Sequence, residues 1–145
     1  KLELKKIIFF VFLLFMLNPY ICMADFMFLM NTKKGDGIFI DHKRLVKEGA
    51  YTYGWTLLDY KKPRTYWYMD DYKIYFSELR YKKYDCTKKS FLILKTVRFE
   101  HQMAHRNPIH HKGEINVLPP MKKYLNWITP ALNSVSKKVL DMYCR

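Results

Sequence analysis

Four histidines and one glutamate lie close together in the chain and are of types that coordinate metal ions. Glu100, His101, His105, His110 and His111 fall within twelve residues, and imidazole and carboxylate groups are ligands for zinc and copper. Their order is not the His-Glu-x-x-His of metalloproteases, and no helical pattern places His101 and His105 on one face. We therefore expect a polar, histidine-rich loop without a resident metal or cofactor, and keep the four histidines as weak candidates.

No group of residues has the types and spacing of an enzyme active site. The chain has no glycine-rich phosphate loop and no serine-centred elbow. Asp70 and Asp71 are adjacent, so on a strand their carboxylates point to opposite faces and cannot act together as acid and base. We expect no catalytic residues and no enzymatic activity.

Basic residues interleaved with aromatic residues are the strongest indication of binding. The formal net charge is +13, and cations beside aromatic rings suit acidic proteins or sulfated glycans. The same lysines also suit a second interpretation, in which they are solvated residues that protect strand edges from aggregation. The candidate ligand-binding residues are Lys61, Lys62, Arg64, Trp67, Arg80, Lys82, Lys83, Lys88 and Lys89.

The first 24 residues have the layout of a secretory signal peptide. Three lysines precede an unbroken apolar run from Ile7 to Leu17, Pro19 follows, and Cys22-Met23-Ala24 offers a cleavage site. A membrane anchor of about 20 apolar residues would have to include Pro19. A lipoprotein with an acylated Cys22 is a third interpretation, although Tyr20 and Ile21 are bulky for such a site. We expect cleavage, export to the periplasm or outer surface, and a mature domain of residues 25–145 that does not bind nucleic acid.

The mature domain retains two cysteines, Cys86 and Cys144. Two cysteines in an oxidising compartment normally pair, and a loop of this length would contribute roughly 4 kcal/mol to stability. The alternative is two separate buried thiols. Cleavage would also lower the net charge to about +11, because residues 1–24 contain three lysines and one glutamate.

Alternating apolar and polar residues predict antiparallel strands in most of the domain. The predicted strands are Phe26–Met30, Ile38–Ile40, Tyr51–Tyr60, Ile74–Cys86 and Ser90–Phe99. Between them we expect a helical turn from Asp41 to Gly49 and a basic turn at Lys61–Arg64. Residues 100–123 read as a long loop.

The C-terminus changes to a helical period, with Ser134 as the expected N-cap and Val135, Val139 and Leu140 on one stripe. The fold class is therefore α+β, a single antiparallel sheet with one helix packed on a face. We expect Trp55 to lie buried under this helix and Trp127 to be buried at its entry, while Trp67 is more exposed.

Three blocks and the C-terminus resemble a known family. The blocks are Ile38–Asp41, Trp55–Pro63 and Tyr84-Asp85-Cys86, and the chain ends in Trp127–Pro130, a helix and Tyr143-Cys144-Arg145. From about Phe26 to Arg145 the chain is similar to the surface-adhesin protein E-like family of small exported Gram-negative proteins. The resemblance implies a sheet with a helix held by a disulfide, and binding to host extracellular-matrix or serum proteins.

Two other functions remain open from the sequence. One is a periplasmic structural or envelope protein that has no host ligand. The other, which we weigh less, is a metal-binding protein that uses the histidine-rich loop. The sequence alone does not give the oligomeric state.

Overall fold

A computed structural model describes residues 25–68, 71–105, 108–111, 114–115 and 126–145. Within them the chain forms an antiparallel sheet and a C-terminal α-helix, which confirms the predicted fold class. The signal peptide predicted at residues 1–24 lies outside the described residues, and the domain boundary stays a prediction. The elements are β1 (Phe26–Asn31), β2 (Gly37–Asp41), β3 (Val46–Glu48), β4 (Tyr51–Tyr68), β5 (Asp71–Asp85), β6 (Ser90–Phe99), a 3₁₀ turn (Gln102–Ala104), β7 (His110–His111), β8 (Glu114–Ile115) and α1 (Val135–Tyr143).

The main sheet has the order β1-β2-β4-β5-β6, with β3 paired to the start of β4. β4 and β5 form a long hairpin that is in register from Tyr51 opposite Asp85 to Tyr68 opposite Asp71, apart from an irregularity between Asp59 and Arg64. The prediction of a basic turn at Lys61–Arg64 is therefore wrong. The chain makes a bulge and continues as strand, and Pro63 is tolerated because a bulge needs no backbone donor at every position.

The segment after β2 also differs from the expected helical turn. Asp41 is fully buried and its carboxylate accepts a hydrogen bond from the Arg44 N–H at 3.2 Å. The chain then bends and returns as β3, and Gly49 takes a positive φ of 59° in the turn into β4. The prediction that Asp41 caps a backbone N–H is correct, but the capped segment is a turn and not a helix.

The predicted loop at residues 100–123 contains some regular structure in its described part. The 3₁₀ turn packs on the sheet, where the Met103 N–H donates to the Asp59 carboxylate at 2.6 Å and the Ala104 N–H donates to Ser77 Oγ at 2.9 Å. Strands β7 and β8 pair with each other in a separate two-stranded sheet. Residues 106–107, 112–113 and 116–123 lie outside the description.

Helix α1 covers one face of the sheet and closes the main core. Ser134 caps it by accepting a hydrogen bond from the Lys137 N–H at 3.2 Å. Its C-terminus is joined to β5 by the Cys86–Cys144 disulfide, with an S–S distance of 2.04 Å, so the predicted pairing is confirmed. The core under the helix is formed by Ile38, Ile40, Tyr84, Phe91, Val139, Leu140 and Tyr143.

The side of β4 that meets the helix is the opposite of the predicted one. Thr52 Oγ1 lies 3.6 Å from the disulfide sulfur of Cys86, and Thr56 Oγ1 lies 3.3 Å from the buried Tyr84 hydroxyl. Because successive side chains alternate across a strand, Tyr51, Tyr53 and Trp55 lie on the helix-free face.

Two of the three expectations about the tryptophans are therefore wrong. Trp55 is half-buried on the helix-free face and not under the helix, and Trp127 is 40 % exposed. Trp67 is 71 % exposed, as expected. Within the described part of the chain, no helix has both the length and the apolar character needed to cross a membrane.

Gly54 allows the helix to approach the sheet. A Cβ atom at this position would lie 2.6 Å from Leu45 Cδ2 and 3.0 Å from Tyr143 Cε2. Alanine normally suits a strand better than glycine, but here overpacking dominates. We expect Gly54→Ala to lower the free energy of unfolding by about 1–3 kcal/mol, measured by chemical denaturation.

The matched control for this substitution is Thr65→Ala, at an exposed position of the same strand. It should change stability by only a few tenths of a kcal/mol, roughly the range for surface positions. A Gly54→Ala variant as stable as the parent would show that the helix does not pack closely over this strand.

Candidate binding surfaces

The nine predicted ligand-binding residues do not form one surface. Lys61, Lys62, Arg64 and Trp67 lie in the distal half of β4, whereas Lys88 and Lys89 lie in the turn between β5 and β6 at the other end of the sheet. Trp67 pairs with Tyr72 and Lys83 pairs with Tyr53. The β5 positions Tyr72 and Lys83 are about 36 Å apart along the strand, at about 3.3 Å per residue. The two groups therefore have to be considered separately.

Arg80 belongs to a buried ion-pair network on the helix side of the sheet. Glu78 is 1 % exposed and its carboxylate pairs with Arg80 and, at 3.0 Å, with Arg98. The Arg98 guanidinium also lies over the rings of Tyr66 and Tyr75, at 4.4 and 5.1 Å from their centroids. A buried carboxylate needs such partners, so the contacts of Arg80 are those of a structural residue.

Lys82 does not lie on the surface. It pairs with Gly54, faces the helix side and is only 4 % exposed. Its amino group lies 4.8 Å from the centroid of the Phe91 ring. Burial lowers the pKa of Lys82 to about 7; the neighbouring positive charge of Arg80 adds to this effect, while Glu78 opposes it. Successive residues of a basic segment in a strand lie on opposite faces of the sheet. The composition of the segment does not indicate which of its lysines are buried.

Arg64 anchors the bulge of β4. Its guanidinium pairs with Asp36 at 3.1 Å, and the same carboxylate accepts a hydrogen bond from the Lys61 N–H at 3.0 Å. Arg64 also lies 5.0 Å from the centroid of the Tyr60 ring, and burial raises the pKa of that phenol to about 12. The side chains of Lys61 and Lys62 remain exposed beside this anchor.

The distal end of the β4–β5 hairpin has an exposed apolar surface, which we call the arm patch: Thr65, Trp67, Tyr72 and Ile74. The register places all four side chains on one face, because Trp67 pairs with Tyr72 and Thr65 pairs with Ile74. The Trp67 and Tyr72 rings meet edge to face with centroids 5.2 Å apart. Tyr72 and Ile74 are each 49 % exposed. Of these four, only Trp67 was among the predicted site residues.

The helix-free face has a second group of rings, which we call the aromatic ladder. The rings of Tyr53 and Tyr81 stack with their centroids 6.3 Å apart, and the centroid of the Trp55 ring lies 5.0 Å from that of Tyr81. The Lys83 amino group lies between two tyrosines, 4.0 Å from the centroid of Tyr51 and 5.5 Å from that of Tyr53. Tyr51 stacks in turn on Trp127 at 6.1 Å. In order, the ladder is Trp127, Tyr51, Lys83, Tyr53, Tyr81 and Trp55.

The β4 residues of this ladder, Tyr51, Tyr53 and Trp55, lie on the side of the sheet opposite to the one predicted for Trp55. The residues between them are Thr52, Gly54 and Thr56. Small residues at alternate positions mark a face that is closely approached by another element, and that signal would have identified the helix side.

The histidines are not brought together into a described metal site. His101 and His105 are exposed on either side of the 3₁₀ turn. The backbone of His110 and His111 forms β7, but their side chains lie outside the description. Among the described side chains, no group of three or more His, Cys, Asp or Glu residues could hold a metal ion.

Comparison with known proteins identifies the family. The family model described as surface-adhesin protein E matches residues 26–145. The chain belongs to the surface-adhesin protein E family. Membership of this family indicates an exported surface adhesin, a class associated with virulence, and not an enzyme. A search of curated proteins found no match.

Solved structures of the protein E fold agree with this assignment. A crystal form II structure of Haemophilus influenzae protein E superposes with a TM-score of 0.57 at 11 % identity, over 81 % of this chain and 86 % of that chain. The selenomethionine form of Haemophilus influenzae protein E gives a TM-score of 0.56 at 8 % identity, over 81 % and 84 %. At this identity the likeness establishes the shared fold, and the residues that bind ligands have to be argued from this chain.

The buried Lys82 predicts a pH-dependent stability. Below pH 7 the amino group is charged in both the folded and unfolded chain, so folding carries the full penalty of burying a cation. Between pH 7 and about 10.4 only the unfolded chain binds the proton, and the penalty decreases as the pH rises. We expect Lys82→Met to stabilise the domain by roughly 3–5 kcal/mol at pH 6, since one pKa unit is worth about 1.4 kcal/mol, and by much less at pH 9.5.

Chemical denaturation of parent and variant at both pH values measures this difference. Lys83→Met is the control, because it removes a lysine that is not buried from the opposite face of the same strand. A Lys82→Met effect of equal size at pH 6 and pH 9.5 would show that the parent lysine keeps its ordinary pKa.

Proposed function

We propose that this chain is an exported adhesin that binds a host extracellular-matrix or serum protein through the arm patch and the adjacent Lys61 and Lys62. The observation that carries the proposal is Trp67, which is 71 % exposed at the end of a long hairpin. Exposed tryptophan and tyrosine side chains with aliphatic neighbours are typical centres of protein–protein interfaces. Family membership supports the adhesin class.

The position of the patch on the hairpin favours a contact with a large partner. The opposite face of the same hairpin is packed, since Tyr75 is buried against Tyr60 and Ile109. One face therefore holds the hairpin to the domain while the other presents Trp67, Tyr72 and Ile74. An apolar surface of this kind on paired strands contacts a partner with a smaller ordering cost than one on an unstructured segment.

Charge supports a partner with acidic groups beside the contact. Among the described residues, the side chains of Lys61 and Lys62 have no ion pair or hydrogen bond, and both are exposed. Exposed lysines at the rim of an apolar patch mainly increase the association rate with an acidic partner and make binding sensitive to salt. This is the arrangement expected of an apolar contact with a basic rim.

The arm patch can be tested with variants that remove its apolar and its basic parts separately. We expect Trp67→Ala to lower the affinity for a matrix or serum protein at least about tenfold, equivalent to about 1.4 kcal/mol. The double variant Lys61→Gln/Lys62→Gln should weaken binding mainly at low salt. Both variants should keep the parent melting temperature. Binding is measured by surface plasmon resonance with immobilised vitronectin, laminin or fibronectin.

Two controls match these variants. Leu132 is 83 % exposed elsewhere on the domain, so Leu132→Ala removes an equally exposed apolar side chain. Lys88→Gln/Lys89→Gln removes the same charge at the opposite end of the sheet. Equal loss of binding in a control and its matched variant would contradict a specific role for the arm. Undiminished binding by Trp67→Ala would exclude the patch as the contact.

Location separates the adhesin from the alternative of a periplasmic envelope protein. An adhesin must be accessible on intact cells, whereas a periplasmic protein becomes accessible only after the outer membrane is permeabilised. We expect an added protease to digest the protein on intact cells. Protection until permeabilisation, with a periplasmic marker as reference, would favour the envelope role.

A further inference from the structure

The aromatic ladder is assembled from three separate parts of the chain. Tyr51, Tyr53 and Trp55 come from β4, and Tyr81 and Lys83 from β5. Trp127 is brought in by the segment before the helix, because Ile128 exchanges two backbone hydrogen bonds with Phe91 at the edge of β6, at 2.8 and 3.0 Å. Cross-strand ring pairs commonly stabilise sheets. Trp127 is not part of such a strand pair, so sheet stability alone does not explain the full series.

The ladder is partly accessible to solvent. Helix α1 packs on the opposite face of the sheet, and the 3₁₀ turn covers the helix-free face only further along, at Asp59 and Ser77. All four β4 and β5 rings are half-buried, and Trp127 is 40 % exposed. Within the described residues, no helix or strand lies over these rings. They therefore offer a fixed aromatic surface held by the sheet.

The charge at the ladder is positive. Lys83 sits between two rings, and Lys95, opposite Tyr81 in register, is exposed on the same face. Lys88 and Lys89 are exposed in the turn that follows β5. Two acidic residues lie opposite Tyr51 in register: Glu48 of β3, and Asp85 of β5, which is buried. A surface with more cations than anions around partly accessible rings is complementary to an anionic ligand.

We propose that the aromatic ladder is a second binding site, and that its ligand is a linear sulfated glycan. The C–H faces of pyranose rings pack on indole and phenol rings, and sulfate groups accept hydrogen bonds from lysine ammonium groups. The proposal rests on the proposed function in one respect, since an exported adhesin meets such glycans at a host surface. Single-stranded nucleic acid is the other polymer that combines stacking with negative charge, and it is included in the test.

The positions of the tryptophans allow the two binding sites to be distinguished. The chain has three tryptophans: Trp55 and Trp127 belong to the ladder, and Trp67 belongs to the arm patch. The variant Trp67→Phe reports only on the ladder, and Trp55→Phe/Trp127→Phe reports only on the arm. We expect heparin to change the fluorescence emission of the first variant and to leave that of the second unchanged. A change confined to Trp67 would overturn the proposal.

Removing the central lysine tests the charge of the site without removing a ring. We expect Lys83→Met to weaken heparin affinity about tenfold, the effect of losing one charged hydrogen bond. Lys138→Gln, at an exposed position of the helix on the other face, is the control and should leave affinity unchanged. Chemically desulfated heparin should bind much more weakly than heparin.

Three results would overturn the sulfated-glycan assignment: equal affinity of Lys83→Met and parent, equal binding of desulfated heparin, or equal binding of a single-stranded oligonucleotide. The matrix-protein assay separates a failure here from a failure of the proposed function. If the arm variants lose matrix-protein binding while heparin does not perturb the ladder, only the second site is wrong. If heparin binds at the ladder and the arm variants bind matrix protein normally, only the arm proposal is wrong.

Discussion

The contact between Tyr143 and β4 determines which surfaces the domain presents. The Tyr143 hydroxyl donates to the Trp55 carbonyl at 2.5 Å and accepts from the Asp41 N–H at 3.2 Å, so one side chain joins the helix to two strands. Its ring passes where Gly54 has no side chain. Burial raises the pKa of this phenol, which keeps the hydroxyl neutral and able to donate. The Cys86–Cys144 bond holds the adjacent residue to β5 and limits how far the helix can move from this position.

This contact has a consequence on the other side of the sheet. Because the helix packs against small residues of β4, the large residues that alternate with them are directed to the helix-free face. The aromatic ladder is thus a consequence of how the helix packs on the sheet. The same packing places Lys82 and Glu78 of β5 on the helix side. There Glu78 forms ion pairs with two arginines, and the Lys82 amino group lies over the Phe91 ring. Part of the positive charge of the sequence therefore belongs to buried side chains.

The strands, the terminal helix and the disulfide could be predicted because each depends on local or countable features: alternation, a capping serine, and two remaining cysteines. The faces could not be predicted in the same way. Alternation at Tyr51, Tyr53 and Trp55 gives the period but not the side that meets the helix, and aromatic residues are equally suited to a core and to a binding surface. The Lys61–Arg64 segment predicts a turn because proline and lysines are common in turns, whereas the pairing of Arg64 with Tyr75 shows that the hairpin continues past it.

The fold separates the arm patch from the aromatic ladder. The two surfaces lie towards opposite ends of the β4–β5 hairpin, with the bulge between Asp59 and Arg64 separating them. A ligand at one end therefore does not block the other end sterically. Where a host surface presents a matrix protein and a sulfated glycan side by side, the first contact would raise the effective concentration of the second, and two modest affinities would combine into stronger attachment. A sheet that buried the same residues in a single compact core would present neither surface.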